Sequence, residues 1–206
     1  MNKPTPHPEQ VFKRYFPLEV VDYCLDLWKK YAFKFIVSKK RNSKLGDYRH
    51  HRILNTHIIS VNSDLNKFSF MITYLHEVAH LTTQLKFKDS VSPHGKEWKN
   101  EFKLLMMPML EKRFLPLDVQ HALVAYMNNP GASSCSDQNL LKTLHRYDKN
   151  FDASVTYLEE VDLGADFDFN GRIFRKEAVR RTKALCLELK SQRKYLISLV
   201  AKVSLV

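Results

Sequence analysis

Apolar positions along this chain change period several times. Over residues 9–31, Leu18, Val21, Leu25 and Trp28 recur at steps of three and four, and Val20, Cys24, Leu27 and Tyr31 widen the stripe. That spacing predicts one amphipathic helix, with Pro17 placed near its start. The runs "FKFIVS" and "HIISVN" are β-branched or aromatic and predict strands. Between them lies the polar, turn-rich "KKRNSKLGDYRHHRILNT", which contains Gly46. Residues 33–62 therefore predict two or three strands of a small antiparallel sheet.

In "NSDLNKFSFMITYLHEVAHLTTQLKF" the period returns to helical steps through Leu65, Phe68, Ile72, Leu75 and Ala79, with Asn62, Ser63 or Asp64 as the expected cap. This helix is apolar on most sides, so it is expected to be central and buried. "KDSVSPHGKE" is a loop broken by Pro93 and Gly95. A further helix is expected from near Lys96, with Trp98, Phe102, Leu105 and Met109 on one side, kinked or ended by Pro108. "PLDVQHALVAYM" predicts another helix, stopped by "NNPGASS". Ser136 or Asp137 then caps "NLLKTLHRY". In the last part, "DFDFNGRIFR" alternates around Asn170-Gly171, a strong two-residue hairpin signal, and "ALCLELK" and "YLISLVAKV" flank "SQRK" as a second hairpin. The pattern is that of an α+β chain, with a mostly helical front over 1–130 and a small β-rich part over 131–206.

Composition narrows the class. The 206 residues are 44% hydrophobic, with only 5 glycines and 8 prolines, which suits a compact domain with a small appended unit. No apolar run reaches the roughly 18–20 residues that cross a bilayer, and "MNKPTPHPEQVFKRYF" lacks a secretory apolar core. A cytoplasmic address without a membrane partner is the expectation. Cys24, Cys135 and Cys186 form no C-x-x-C pair, which excludes a disulfide scaffold or an all-cysteine zinc site and leaves small buried hydrophobes. The formal net charge is +11 and unevenly spread. Residues 29–52 carry nine Lys/Arg against Asp47 alone, and residues 171–202 carry ten against Glu177 and Glu188. Two such segments fit a polyanion, most simply nucleic acid, against the plain alternative of a solvated charged surface.

The chemistry concentrates in "TYLHEVAHLTTQ". On a helix, His76 and His80 share one face and can aim their imidazoles at one point, as zinc requires. Glu77, one step round, can reach a water there as general base. This is the H-E-x-x-H arrangement. Burying two histidines and a glutamate on an apolar helix is costly without a partner, and a metal supplies one. A catalytic zinc takes three protein ligands and keeps one position open. The favoured third ligand is His94 in "SPHGKEW", with Gly95 allowing close backbone approach. Glu97 and Glu101 on the following helix are its rivals, and His121 and His145 are more remote. For stabilising an oxyanion, Tyr74, Tyr48 and Arg49 are candidates, and Trp98 is expected as a core anchor beneath the third-ligand loop.

The run "HEVAHL…SPHGKEWKNEF" resembles the SprT-like metallopeptidases, whose motif is H-E-x-x-H followed by H-G-x-x-W or H-G-x-x-F. Upstream, "SKKRNSKLGDYR…HIISVNSDL" is similar to the strands that precede the family's active helix. The resemblance spans roughly residues 15–115 and continues more weakly beyond. It implies a zincin-like protease core with one catalytic Zn2+, held by His76, His80 and His94, and with Glu77 as base toward a protein substrate. Many SprT-like proteins end in a zinc ribbon with paired cysteines. Here only Cys135 and Cys186 fall in that part, so a ribbon-like β shape without its metal is expected, packed by Phe169, Phe174, Leu185 and Tyr195. The competing expectation is a non-catalytic nucleic-acid or protein-binding module braced by zinc.

Overall fold

The computed structural model describes residues 7–41, 43–131, 137–152 and 155–206. The chain begins with α1 (Pro8–Tyr15) and α2 (Val21–Tyr31), joined by a single 3-10 turn at Leu18–Val20. The one helix expected over 9–31 is thus two. Pro17 has no N–H to give a helix, and Phe16 before it takes extended backbone at φ −103° and ψ 157°. The break lets Phe12 and Phe16 stack at 4.9 Å and both meet Tyr74 edge-on. Tyr74 Oη in turn donates to the Cys24 carbonyl at 2.8 Å.

Three strands follow: β1 (Lys34–Ser38), β2 (Gly46–His51) and β3 (Thr56–Asn62). Their order is β1-β3-β2, with β1 parallel and β2 antiparallel to β3. The expectation of an antiparallel sheet over 33–62 is corrected: the sheet is mixed. β3 carries the fully buried Ile59 and Val61 and takes the centre, while the more exposed β1 and β2 take the edges. Asn62 fixes this crossover. Its amide donates to the Arg41 and Lys44 carbonyls at 3.1 and 2.9 Å, and its Oδ1 accepts from Arg41 Nε at 2.7 Å.

The central helix α3 (Lys67–Phe87) packs on β3 and β2. Its cap is Asn66, whose side chain accepts from Ser69 N at 2.9 Å. Asn62 could not cap it because that residue still belongs to β3. Buried side chains lie all round α3, as its sequence implied. Next come α4 (Lys96–Glu111), α5 (Leu117–Met127) and α6 (Gln138–His145). Pro108 lies inside α4, which ends three residues later. Asp137 caps α6 by accepting from Leu140 N at 2.8 Å. Ser136, the other expected cap, falls outside the described residues, as does Cys135. Leu140 and Leu144 of α6 join the main core with Phe70, Met71, Trp98 and Phe102.

The second sheet is antiparallel throughout, in the order β4-β9-β5-β6-β7-β8: β4 (Thr156–Tyr157), β5 (Asp166–Phe169), β6 (Arg172–Arg180), β7 (Lys183–Glu188), β8 (Lys194–Ser198) and β9 (Lys202–Leu205). Asn170 and Gly171 make the β5–β6 turn with φ of 57° and 76°, the left-handed pair a type I′ hairpin needs. "YLISLVAKV", expected as one strand, is divided. β8 ends at Ser198, and β9 crosses to pair with β4 and β5. Leu158, Phe167, Phe174, Cys186 and Ile197 form a separate small core. Beside it Lys176, only 3% exposed, donates its ammonium to the carbonyls of Leu158 at 2.9 Å, Glu159 at 3.2 Å and Val161. Ion pairs Lys142–Glu159 and Lys202–Asp148 tie this part to the helices, and the His145 ring stacks on Tyr157.

The fold is α+β, with six α-helices and two sheets among the described residues. None of the described helices is long and apolar enough to cross a membrane. Cys24 and Cys186 are buried free thiols, which burial pushes well up from the ordinary thiol range for Cys24 and to about 11 for Cys186.

Candidate metal centre

Two elements bring the imidazoles together. On α3, His76 and His80 are one turn apart and face α4. The third ring comes from the Ser92–Gly95 turn, closed by Gly95 N donating to Ser92 O at 3.0 Å. His94 adopts φ 58°, a left-handed conformation uncommon for a residue with a Cβ, and one that marks a position fixed by its surroundings. Gly95 follows because a Cβ there would come within 2.9 Å of the Ser92 carbonyl.

The result is a tight cluster. His94 Nε2 lies 2.9 Å from His80 Nε2 and 3.2 Å from His76 Nε2. Nitrogens bound tetrahedrally at about 2.0–2.1 Å from one ion stand about 3.3–3.4 Å apart, so this spacing is close to that of a zinc site. Burial lowers His76 to about 3 and His80 to about 4, and each is pressed further by its histidine neighbours. His94 is lowered by burial as well. Burial thus disfavours the charged form of all three rings, and the neutral imidazole is the form a metal takes. The donor set fits a divalent zinc ion.

Trp98, fully buried on the first turn of α4, supports all three rings, with centroids 4.6, 5.3 and 4.7 Å from His76, His80 and His94. The other ligand candidates lie apart from the cluster. Glu101 is paired with Lys86 at 2.6 Å, His121 is exposed on α5, and His145 stacks on Tyr157. Glu97 lies in the first turn of α4, beside Gly95. Among the described residues, His76, His80 and His94 are the one group of three or more metal-ligating side chains with converging donor atoms.

Glu77 is 7% exposed and lies under strand β2. Burial first, then the Asp47 charge, raise its carboxyl to about 8, against the Tyr48 backbone N–H and the cations Arg41 and Lys44, which favour the ionised form. The strand approaches so closely that a Cβ on Gly46 would stand 2.6 Å from Glu77 Oε1 and 2.6 Å from Thr73 Cγ2. Only glycine lets β2 pass here.

Alternation along β2 puts Gly46, Tyr48 and His50 on one face. The Tyr48 ring lies parallel to His80 at 6.4 Å, and its hydroxyl bonds His57 Nδ1 at 2.8 Å. His50 stacks on His57 at 4.5 Å. The sequence reading missed His57 and His50; the alternation of β2 and its pairing opposite β3 were the signal that could have found them. Of the oxyanion candidates, Tyr48 borders the cluster, Tyr74 is locked in the core, and Arg49 is exposed and paired with Asp47 at 2.9 Å.

Comparison with known proteins adds one match. The SprT-like family model aligns with residues 10–121, just over half of the chain, a span that holds the first sheet, α3, α4 and all three histidines. No curated protein and no solved structure matches significantly.

Proposed function

Since the chain belongs to the SprT-like family, we propose that it is a zinc-dependent metallopeptidase that hydrolyses peptide bonds in a protein substrate. The observation that carries this reading is the convergence of three neutral imidazoles within 3.2 Å along two edges, beside a buried carboxyl that belongs to no ion pair among the described residues. A zincin-like core is the matching fold reading. A site that only braced the fold would need no buried acid next to its ligands.

His76, His80 and His94 would hold the ion. Zinc, when bound, supplies Lewis acidity that polarises a carbonyl and acidifies water. Beside a dication the Glu77 carboxyl is held ionised, against the burial that otherwise keeps its proton on. In that form it takes a proton from the attacking water and returns one to the leaving amine. The Tyr48 N–H orients the carboxylate, and Gly46 leaves it room. Trp98 and Phe102 close the floor and exclude water from the inner side of the rings.

The test is cleavage of casein by the purified chain, with and without chelator. Glu77→Gln is expected to keep stoichiometric zinc and lose turnover, and His80→Ala to lose the metal. Full activity in Glu77→Gln, or zinc retained in His80→Ala, overturns the assignment. The basic segments 29–52 and 171–202 are proposed as a nucleic-acid contact in the same reading. Binding to single- or double-stranded DNA that weakens steeply with salt supports it, and salt-insensitive or absent binding removes it.

A further inference from the structure

Away from the histidines, a groove of about 870 Å³ runs between α1 and β1. Its floor and wall are apolar, formed by Phe12, Tyr15, Trp28 and Phe35, and its charged lining consists of Arg14 and Lys34, with no Asp or Glu among the lining residues. Both cations are exposed, and neither has an ion pair among the described residues. The strand at this groove is an edge. β1 pairs with β3 alone, and every second residue of a strand turns its N–H and C=O away from that partner. Among the described residues, no other hydrogen bond takes the backbone groups of residues 34–37. An unpaired edge beside an apolar trough is a template for another strand.

We propose that this groove docks an extended acidic segment of a partner protein, added to β1 as a further strand. Five residues of β1 span about 17 Å, the reach of a strand of five or six residues. Backbone pairing supplies the register. Alternate apolar side chains of the guest enter the trough, and its carboxylates meet Arg14 and Lys34. A second copy of this chain is a poor guest. It would set Lys34 and Arg14 against their own equivalents on a molecule of net charge +11. Residues 1–6, "MNKPTP", are equally poor, with a lysine, two prolines and no alternation. The inference does not depend on the peptidase reading.

The test uses the full chain carrying Glu77→Gln, so that a probe cannot be cut. The probe is a fluorescein-labelled heptapeptide alternating glutamate and valine. Fluorescence anisotropy is expected to give a Kd below about 1 mM. Lys34→Glu and Arg14→Glu, both at exposed positions, are each expected to weaken it by about tenfold. Backbone N-methylation along one edge of the probe should abolish binding, and hydrogen exchange should slow at the amides of residues 34–37. The proposal is overturned by absent binding, by equal binding of a lysine-valine peptide, by an N-methylated probe that still binds, or by protection elsewhere. Sedimentation showing a dimer that Lys34→Glu dissociates would assign the edge to a second copy and overturn it too.

Discussion

On the proposed peptidase reading, replacing Gly46 by alanine tests the geometry around Glu77 without touching a proposed metal ligand. The added Cβ would stand 2.6 Å from Glu77 Oε1, 2.6 Å from Thr73 Cγ2 and 2.8 Å from Glu77 Cγ. Ordinary contact is at least 3.4 Å, so something must move by about 0.8 Å. Thr73 is buried on the packed central helix and β2 is hydrogen-bonded to β3, so the Glu77 side chain yields most easily. Overpacking of this size costs about 1–3 kcal/mol of stability. Displacing a catalytic group by nearly 1 Å costs about 10²-fold in rate, or about 2.7 kcal/mol of barrier. None of the three atoms nearest the added Cβ belongs to a histidine. Gly46→Ala should therefore bind zinc stoichiometrically, melt several degrees lower and cleave casein about a hundredfold more slowly in kcat. The assay is metal analysis, thermal unfolding and steady-state proteolysis on one preparation. Wild-type kcat in a folded Gly46→Ala would refute the placement of the base under β2, and loss of zinc would refute the claim that base and ligands are positioned separately.

Three more outcomes follow from the same structure. The folded value of Glu77, about 8, lies above its ordinary 4.5, so its stabilisation is complete below pH 4.5 and is lost as pH rises through 8. Metal-free protein should lose about 1.5 kcal/mol between pH 6.5 and 8, and Glu77→Gln should remove that slope in urea unfolding; an unchanged slope contradicts it. His76 and His80 run the other way: lowered to about 3 and 4, they stay neutral well below the ordinary 6.5. In Glu77→Gln, where zinc binding displaces no carboxyl proton, zinc affinity measured with a competing chelator of known pH dependence should fall by less than about tenfold from pH 7 to 5.5; three unperturbed histidines would give about 10³-fold. Lys176→Met leaves the carbonyls of Leu158, Glu159 and Val161 without their cation, at a cost of about 2–4 kcal/mol. Hydrogen exchange should quicken in the second sheet while zinc content holds, because that core is separate from the one under the histidines.

Local chemistry made much of this legible in advance. His76 and His80 share a face because of helical spacing alone. The I′ turn at Asn170-Gly171 and the Asp137 cap follow from backbone rules that act over two to four residues. His94 was readable as a candidate ligand because a loop histidine next to glycine can be aimed, and the structure brings its ring to both others. Pro17, by contrast, was misread, because a stripe of apolar residues continues across a break that only φ/ψ restriction enforces.

The parallel pairing of β1 with β3 lay beyond the sequence, since strand order is settled by which strand two packed layers bury most deeply, and that is a property of the whole core. So did the need for glycine at position 46, which arises from the close approach of β2 to Glu77, thirty-one positions further along the chain. Short-range spacing determined the shared face of His76 and His80 on α3, the hairpin turn and the donor atoms, because those depend on bonds between near neighbours. Burial decided the rest: the neutrality of the imidazoles, the retained proton on Glu77 and the open edge of β1 exist only where distant segments exclude water or fail to meet.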